Sequence, residues 1–287
     1  MNDIVSALRQ WLSELHWLEC RIVLQNTFAE QAREHPLLVL DAILKYASHQ
    51  GSPWPSWFFR PETAFDARMY QGKRYGIRLV FPGCRDVSVG EEAVSCIRKW
   101  LGGPHRHFTF AGSDVPCVLS GHQVLSDMDQ TMGSHGMVNG VSIEVLSPVP
   151  FQSKEGWKGK VTAGWMGESL LRRVERLFGA MPGDLRADTS KAWKELTLIP
   201  WFWNYEVFQH RSKSTGGTRY LNGFRGRLFL EGNLDVALPL LAFGTHCNVG
   251  SRLSAGQGAF SVSREQAFLD ASLFSDDLWT HAWTSLA

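Results

Sequence analysis

Apolar side chains recur along most of this chain in two rhythms, one of three to four residues and one of two. Ile4, Val5, Leu8, Trp11, Leu12 and Leu15 fall at helical spacing within residues 3–16. The run Glu19 to Gln25 (ECRIVLQ) reads as a strand. A helix is predicted from Pro36 to Ser48, with Leu37, Leu40, Ile43 and Leu44 on one face, and Gly51 to Pro55 breaks it. Trp57–Arg60 and Tyr75–Phe81 read as strands, and Glu91–Leu101 as a helix stopped by Gly102-Gly103-Pro104. His107–Phe110 and Cys117–Ser120 close the half as short strands. The order strand–helix–strand–strand–helix–strand is that of a ferredoxin-like unit.

Asp127 to Gly140 is polar, glycine-bearing and aperiodic, which predicts a linker. Beyond it, Val141–Leu146 reads as a strand, and Gly164–Phe178 as a helix with Trp165, Leu170, Leu171, Val174 and Leu177 on its apolar side. Trp193–Ile199, Trp203–Phe208 and Arg225–Leu230 read as strands, Leu234–Phe243 as a helix and Gly258–Val262 as the last strand. The second half thus repeats the order of the first, with a loop inserted before its third strand. The predicted class is α+β: two tandem ferredoxin-like (RRM-like) domains, 1–130 and 141–262, with an added helical tail over 263–287. In that tail Ala267, Leu269, Leu273, Leu278, Trp279 and Trp283 form an apolar set suited to packing on the body.

A length of 287 residues fits one to two domains, and 44% hydrophobic with 20% charged residues is the composition of a chain with a core. Twelve tryptophans imply aromatic packing or stacking surfaces. The net charge of +1 means that any nucleic-acid face must be local. The five cysteines (Cys20, Cys84, Cys96, Cys117, Cys247) contain no CxxC, so neither a disulfide framework nor a zinc knuckle is indicated. No His, Asp or Glu set has a metal-binding spacing such as HExxH, and neither metal nor cofactor is expected. Charges interrupt the apolar N-terminus, so it is no signal peptide, and no run is long enough to span a membrane. The expected setting is the cytoplasm.

The candidate chemistry concentrates in the second half. Gly250-Ser-Arg-Leu-Ser-Ala-Gly256-Gln-Gly258-Ala-Phe260 spaces its glycines closely, holds Arg252 inside the loop and ends on an aromatic. Such a loop adopts positive φ and offers successive N–H groups to an anion, which suits a phosphodiester backbone. Arg211, Lys213, Arg219, Arg225 and Arg227 fall between residues 205 and 230, against the single acid Glu206. Arg172, Arg173 and Arg176 share one helix surface, either a solvated face or a stripe along duplex phosphates. His246, beside the glycine loop, is either an RNA contact or a buried structural histidine. His105 and His107 alternate onto one strand face with no third ligand nearby, which favours solvent. His49 ends the first-half helix, and by itself reads as a ring capping the last carbonyls.

Four segments resemble the CRISPR RNA-processing endoribonuclease family, within the repeat-associated CRISPR protein superfamily. Val141–Pro150 (VSIEVLSPVP) is similar to its opening strand followed by Thr/Ser-Pro. Tyr205–Gly226 (YEVFQHRSKSTGGTRYLNGFRG) resembles its basic, Ser-rich loop leading into GGFxG. Leu238–Gly250 (LPLLAFGTHCNVG) is similar to its helix, glycine, His, Val-Gly run, and Gly250–Phe260 resembles the glycine-rich signature. The first half resembles the family only in element order and in a His ending its first helix. Where the family often has lysine after Val-Gly, this chain has Ser251 and Arg252, and no one Tyr or Lys fills the helper's place beside the His.

The resemblance implies an endoribonuclease that binds and cuts CRISPR repeat RNA without metal, by 2′-OH attack, giving 2′,3′-cyclic phosphate and 5′-OH ends and retaining its product. It places the general base at His49, for which a side chain titrating near neutrality is suited. Lys45, one turn earlier, would neutralise the scissile phosphate, and Tyr46 is a further candidate for that help. His210, in the basic loop with Arg211 and Lys213, would contact a phosphate or donate the proton. Arg172, Arg173, Arg176, Arg219, Arg225, Arg227, His246, Gly250, Arg252, Gly256 and Gly258 would hold the RNA. Implied partners are precursor and mature guide RNA and other CRISPR effector subunits, with no membrane. Two alternatives stay open: a non-catalytic RNA-binding subunit of such a complex, and an unrelated protein whose loop holds the phosphate of a nucleotide or metabolite.

Overall fold

The computed structural model describes residues 2–27, 35–51, 53–66, 68–103, 108–132, 140–149, 161–211, 218–250 and 256–264. The predicted tail helices fall on residues outside that set. The first half runs α1 (Asn2–Ser13), β1 (His16–Asn26), α2 (Pro36–Ala47), β2 (Phe58–Pro61), β3 (Arg74–Pro82), α3 (Val87–Leu101), β4 (Phe108–Ser113), β5 (Cys117–Ser120) and α4 (Gly121–Met132). The second runs β6 (Gly140–Val149), α5 (Ala163–Phe178), α6 (Gly183–Lys194), β7 (Thr197–Arg211), β8 (Thr218–Glu231), α7 (Ala237–Cys247) and β9 (Phe260–Arg264). No described helix is long and apolar enough to cross a membrane.

The two halves build the same sheet. The first has the order β2-β3-β1-β4 and the second β7-β8-β6-β9, all pairs antiparallel, so the predicted tandem ferredoxin-like architecture holds. β4 and β5 both pair with β1, Phe108–Ser113 along its far end and Cys117–Ser120 along its near end, as one interrupted edge.

Local signals explain most of the boundaries. Pro36 occupies the first turn of α2, and the ring of His35 caps it by accepting from the Leu37 N–H at 3.2 Å. α3 starts four residues before the expected Glu91 because Asp86 caps it, accepting from Ser88 N–H at 2.9 Å.

Four expectations fail for identifiable reasons. The polar stretch from Asp127 begins inside a helix, α4, whose Val124, Leu125 and Met128 pack into the core. Trp193 closes α6 instead of opening a strand; its buried ring lies against Gly167, where a Cβ would come within 2.3 Å of it. β7 is one strand rather than two, with a bulge between Trp201 and Asn204 where two strands seemed separate. β8 begins at Thr218 rather than Arg225, because pairing with β7 carries the ladder out along the basic stretch.

Cores do not divide where the sheets do. One lies between the first sheet and α2 and α3, from Leu18, Ile22 and Leu24 to Ile97. The other lies under α5 and α7 and also takes Leu8 and Leu12 of α1, Val124 and Leu125 of α4, and Trp17, Phe58 and Val80 of the first sheet. The halves are thereby joined through shared apolar burial.

Candidate functional site

α2 ends at Ser48, whose N–H donates to Leu44 O at 2.9 Å and whose hydroxyl donates to Lys45 O at 2.8 Å. His49 follows on the surface, with ring Nδ1 2.5 Å from Lys45 O. A carbonyl only accepts, so Nδ1 carries the proton and the neutral ring keeps its lone pair on Nε2. The capping contact foreseen for this residue is therefore present, and it selects the tautomer with a basic Nε2. Lys45 Nζ lies 2.5 Å from Oδ2 of buried Asp41, one turn back, so its charge is met within the helix. The Tyr46 ring is 57% exposed and stacks on Trp100 of α3, centroids 6.0 Å apart and planes at 10°. Between His49 and β2, Trp54 packs edge-on against Trp57 and Phe81.

The chain then enters β2, against which the glycine-rich segment rests. Phe59 O accepts from Asn248 Nδ2 at 3.3 Å, and a Cβ on Gly256 would lie 2.5 Å from the Phe59 ring. The neighbouring Phe58 ring faces the Arg173 guanidinium at 4.8 Å, while Arg173 Nε donates to Cys247 O at 2.6 Å and closes the end of α7. Burial pushes the Arg173 pKa down to about 9, which leaves it cationic at neutral pH. Arg173 was expected on an RNA-facing stripe; it is instead 3% exposed, an internal pin between the halves.

For His246 the geometry fits the structural alternative. Its Nδ1 lies 2.6 Å from Glu19 Oε1, which also accepts from Trp17 Nε1 at 2.9 Å. Glu19 Oε2 accepts from Arg78 at 3.0 Å. Burial works to raise the Glu19 pKa, but the bond and charge of His246, the charge of Arg60 and the Trp17 bond outweigh it, holding the carboxyl well below its usual range. His246 thus serves a buried charge cluster under the first sheet, not the glycine loop.

The glycines use their polar groups internally. Gly258 N–H donates to Pro148 O at 3.2 Å, its carbonyl accepts from Val249 N–H at 2.8 Å, and Gly250 N–H donates to Ser169 Oγ at 3.1 Å. The Ser147 hydroxyl donates to Gly256 O at 2.7 Å and accepts from Ala259 N–H at 2.8 Å. The expectation that Gly250 and Gly258 aim their amides at an anion is overturned: close packing is what requires glycine. At Gly258, with φ of +79°, a Cβ would fall 1.7 Å from Val249 O. Arg252 lies outside the described residues.

Positive surface does stand beside this segment. A groove of about 600 Å³ is lined by Trp165, Ser169, Arg172, Arg176, Lys194 and Gly250, among others. Arg172 and Arg176 are exposed; Arg172 Nε also bonds Glu168 at 2.7 Å, which Arg186 holds from α6 at 2.6 Å. The β7–β8 hairpin brings the backbones of His210 and Arg219 opposite each other. The side chains of His210, Arg211 and Arg219, and the whole of Lys213, are outside the described residues. Arg225 donates to Phe65 O at 2.8 Å, tying β8 to the first half, and Arg227 is exposed opposite Trp201.

Sequence reasoning missed Glu19, Arg78 and Ser147, which have no local signal because their partners are remote in the chain. Asn248, left-handed at φ of 63° just after α7, was legible as a helix-ending residue. Among the described residues no three His, Cys, Asp or Glu side chains are placed to hold a metal ion.

Residues 143–260 match the family model described as CRISPR-associated endoribonuclease Cas6. No curated protein matches the chain by sequence. Among solved structures, a partial Cas6-RT-Cas1–Cas2 complex is similar over 90% of this chain at 11% identity and a TM-score of 0.61. The chain spans 48% of that longer polypeptide. A Cas6 product complex is similar over 86% of this chain and 99% of its own, at 13% identity and a TM-score of 0.57. Thermus thermophilus Cas6 gives 86% and 98%, at 12% identity and a TM-score of 0.55. At these identities the structural likeness is one of fold.

Proposed function

We propose that the chain binds CRISPR repeat RNA and cuts it without metal, through its 2′-OH, a reading supported by the match of residues 143–260 to the Cas6 endoribonuclease model. The observation that carries this reading is the His49 turn: a surface imidazole held by Lys45 O through Nδ1, with Nε2 left as the basic nitrogen. In this reading Nε2 takes the proton of the 2′-OH as that oxygen attacks the adjacent phosphorus. The 5′ oxygen departs with a proton supplied by the resulting imidazolium or by His210, leaving 2′,3′-cyclic phosphate and 5′-OH ends. Developing phosphate charge needs cationic or hydrogen-bond donors, for which Lys45 and the Tyr46 hydroxyl are the nearest candidates of each kind offered by the sequence. Arg172, Arg176, Arg227 and the basic hairpin residues would hold the RNA backbone, each neutralised phosphate adding salt dependence. Product retention follows if that grip outlasts the cut. Because structural relatives include a Cas6 product complex and a Cas6-RT-Cas1–Cas2 complex, we extend the partners to guide RNA and other CRISPR proteins.

Incubating purified protein and labelled repeat RNA in EDTA tests this directly. His49→Ala is expected to slow cutting at least about 100-fold, the low end for a lost general base, with RNA affinity within a few-fold. Unimpaired cutting by that variant removes His49 from the mechanism. A second reading, a non-catalytic RNA-binding subunit, draws on the Lys45–Asp41 pair, which already neutralises the cation closest to His49 in sequence. Intact binding with no cutting by the unaltered protein would decide for it.

A further inference from the structure

The open face of the second sheet carries an aromatic feature that the cutting reaction does not use. Phe202 is 73% exposed, and it is one of only two non-glycine residues with positive φ among those described, at 48°. A bulky residue in that region is an outlier, and such outliers concentrate at binding and catalytic sites. The bulge between Trp201 and Asn204 produces it, and Gly226 accommodates it: a Cβ there would lie 1.6 Å from Phe202 O. Trp201 stacks beside Phe202, centroids 6.0 Å apart and planes at 29°, and is backed by Phe229 at 5.4 Å. One ring is thus buttressed and the other presented.

The surroundings select an occupant. A cavity of about 390 Å³ is lined by Trp201, Phe202, Arg225, Gly226, Arg227 and Glu144, with Ala64 of the first half at its border. Arg227 stands directly across the ladder from Trp201, and Glu144 across from Arg227. Flat rings beside guanidinium groups suit a chain of alternating bases and phosphates, since every base has a face to stack and every linkage a negative charge. A Watson–Crick duplex hides those faces. A protein partner would have to bury Arg227 and Glu144 with its apolar surface, at a desolvation cost.

We propose that Trp201 and Phe202, flanked by Arg225 and Arg227, form a stacking platform for unpaired nucleotides of RNA, separate from the His49 turn and from the Arg172–Arg176 groove. The inference rests on the RNA-binding part of the reading above, not on cleavage. It assigns the platform to the single-stranded portion of the transcript.

The test is titration of the full-length protein and its Phe202→Ala, Phe202→Tyr and Trp201→Ala variants with two RNAs: an unstructured uridine 12-mer, and a blunt hairpin with no unpaired flank. Loss of one base stack lowers affinity for the 12-mer by about tenfold in Phe202→Ala, with recovery in Phe202→Tyr. Hairpin affinity falls by a clearly smaller factor. Equal affinity of Phe202→Ala and unaltered protein for the 12-mer overturns the proposal, as does an equal loss on both RNAs. So does a Phe202-dependent self-association in sedimentation with 12-mer affinity unmoved. If the 12-mer binds through Phe202 but the repeat RNA is never cut, the platform stands and the cleavage reading alone falls.

Discussion

The two halves use one strand permutation to reach opposite solutions. Beneath the first sheet a charge cluster is set beside the apolar junction: Glu19 gathers Trp17, Arg78 and His246, and Arg78 and Arg21 share Glu62. In the second, the equivalent work is done by shape. Gly256, Gly258 and Asn248 fold a loop whose base is tied by Ser147 and pressed on Phe59. Layers differ as well: α2 and α3 cover the first sheet, whereas α5 and α7 are supplemented by α1, α4 and α6. The lesson is that a repeated topology constrains where strands lie, not which forces hold them.

Breaking the glycine cradle should have the largest effect. Gly258→Ala puts a Cβ into Val249 O at a left-handed φ, and we expect a loss of about 4 kcal/mol in urea unfolding. A loss under about 1 kcal/mol would mean that the loop relaxes freely and that shape is not what holds this half.

Removing the carboxylate of the other half comes next. Glu19→Ala takes the acceptor from His246 and Trp17 and one of its two carboxylates from Arg78, and should cost about 3 kcal/mol, the lower range for breaking a buried pair. The double variant His246→Ala/Glu19→Ala should lose clearly less than the sum of the singles, the coupling expected of two groups in one hydrogen-bonded network. Additive losses would deny the charge cluster its role.

Acid should separate the halves more gently. Burial, helped by the charge of Arg225, pushes the His35 pKa from 6.5 down to about 4. Between those values the unfolded chain takes up a proton that the folded one refuses, so stability present at pH 7 falls as pH drops and levels near 4. At about 1.4 kcal/mol per pH unit, the effect is on the order of 3 kcal/mol across the window and less at any milder pH. Glu19, held below the usual carboxylate range, contributes stability above its unfolded pKa that is lost at still lower pH. His35→Asn, which keeps a capping acceptor, should flatten the slope from pH 6.5 to 4; an unchanged slope would place the acid sensitivity elsewhere.

Much of this was legible in the chain because its causes are local. Pro36 with Leu37, Leu40 and Leu44 specifies α2, and the alternation around Ile77 and Leu79 specifies β3, through spacing alone. The exposed end of α2 put His49 at a surface turn for the same reason. α4 and α6 were not legible, since their polar sequences become helical when Val124, Leu125 and Trp193 find a core supplied from elsewhere.

What the sequence determined by itself was the kind of element at most positions, the doubled ferredoxin-like order and the family signature, because periodicity and short motifs act within a few residues. Only the tertiary structure decided which polar side chains reach solvent. Arg173 and His246 were candidates for RNA contact, yet Arg173 is buried and His246 half-buried, each bonded to a partner more than seventy residues away, Cys247 in one case and Glu19 in the other. Phe202 carries no signal in the sequence, and only the bulge turned it outward. Burial is a property of the folded surface, and a charge keeps its place inside only when distant groups bond it.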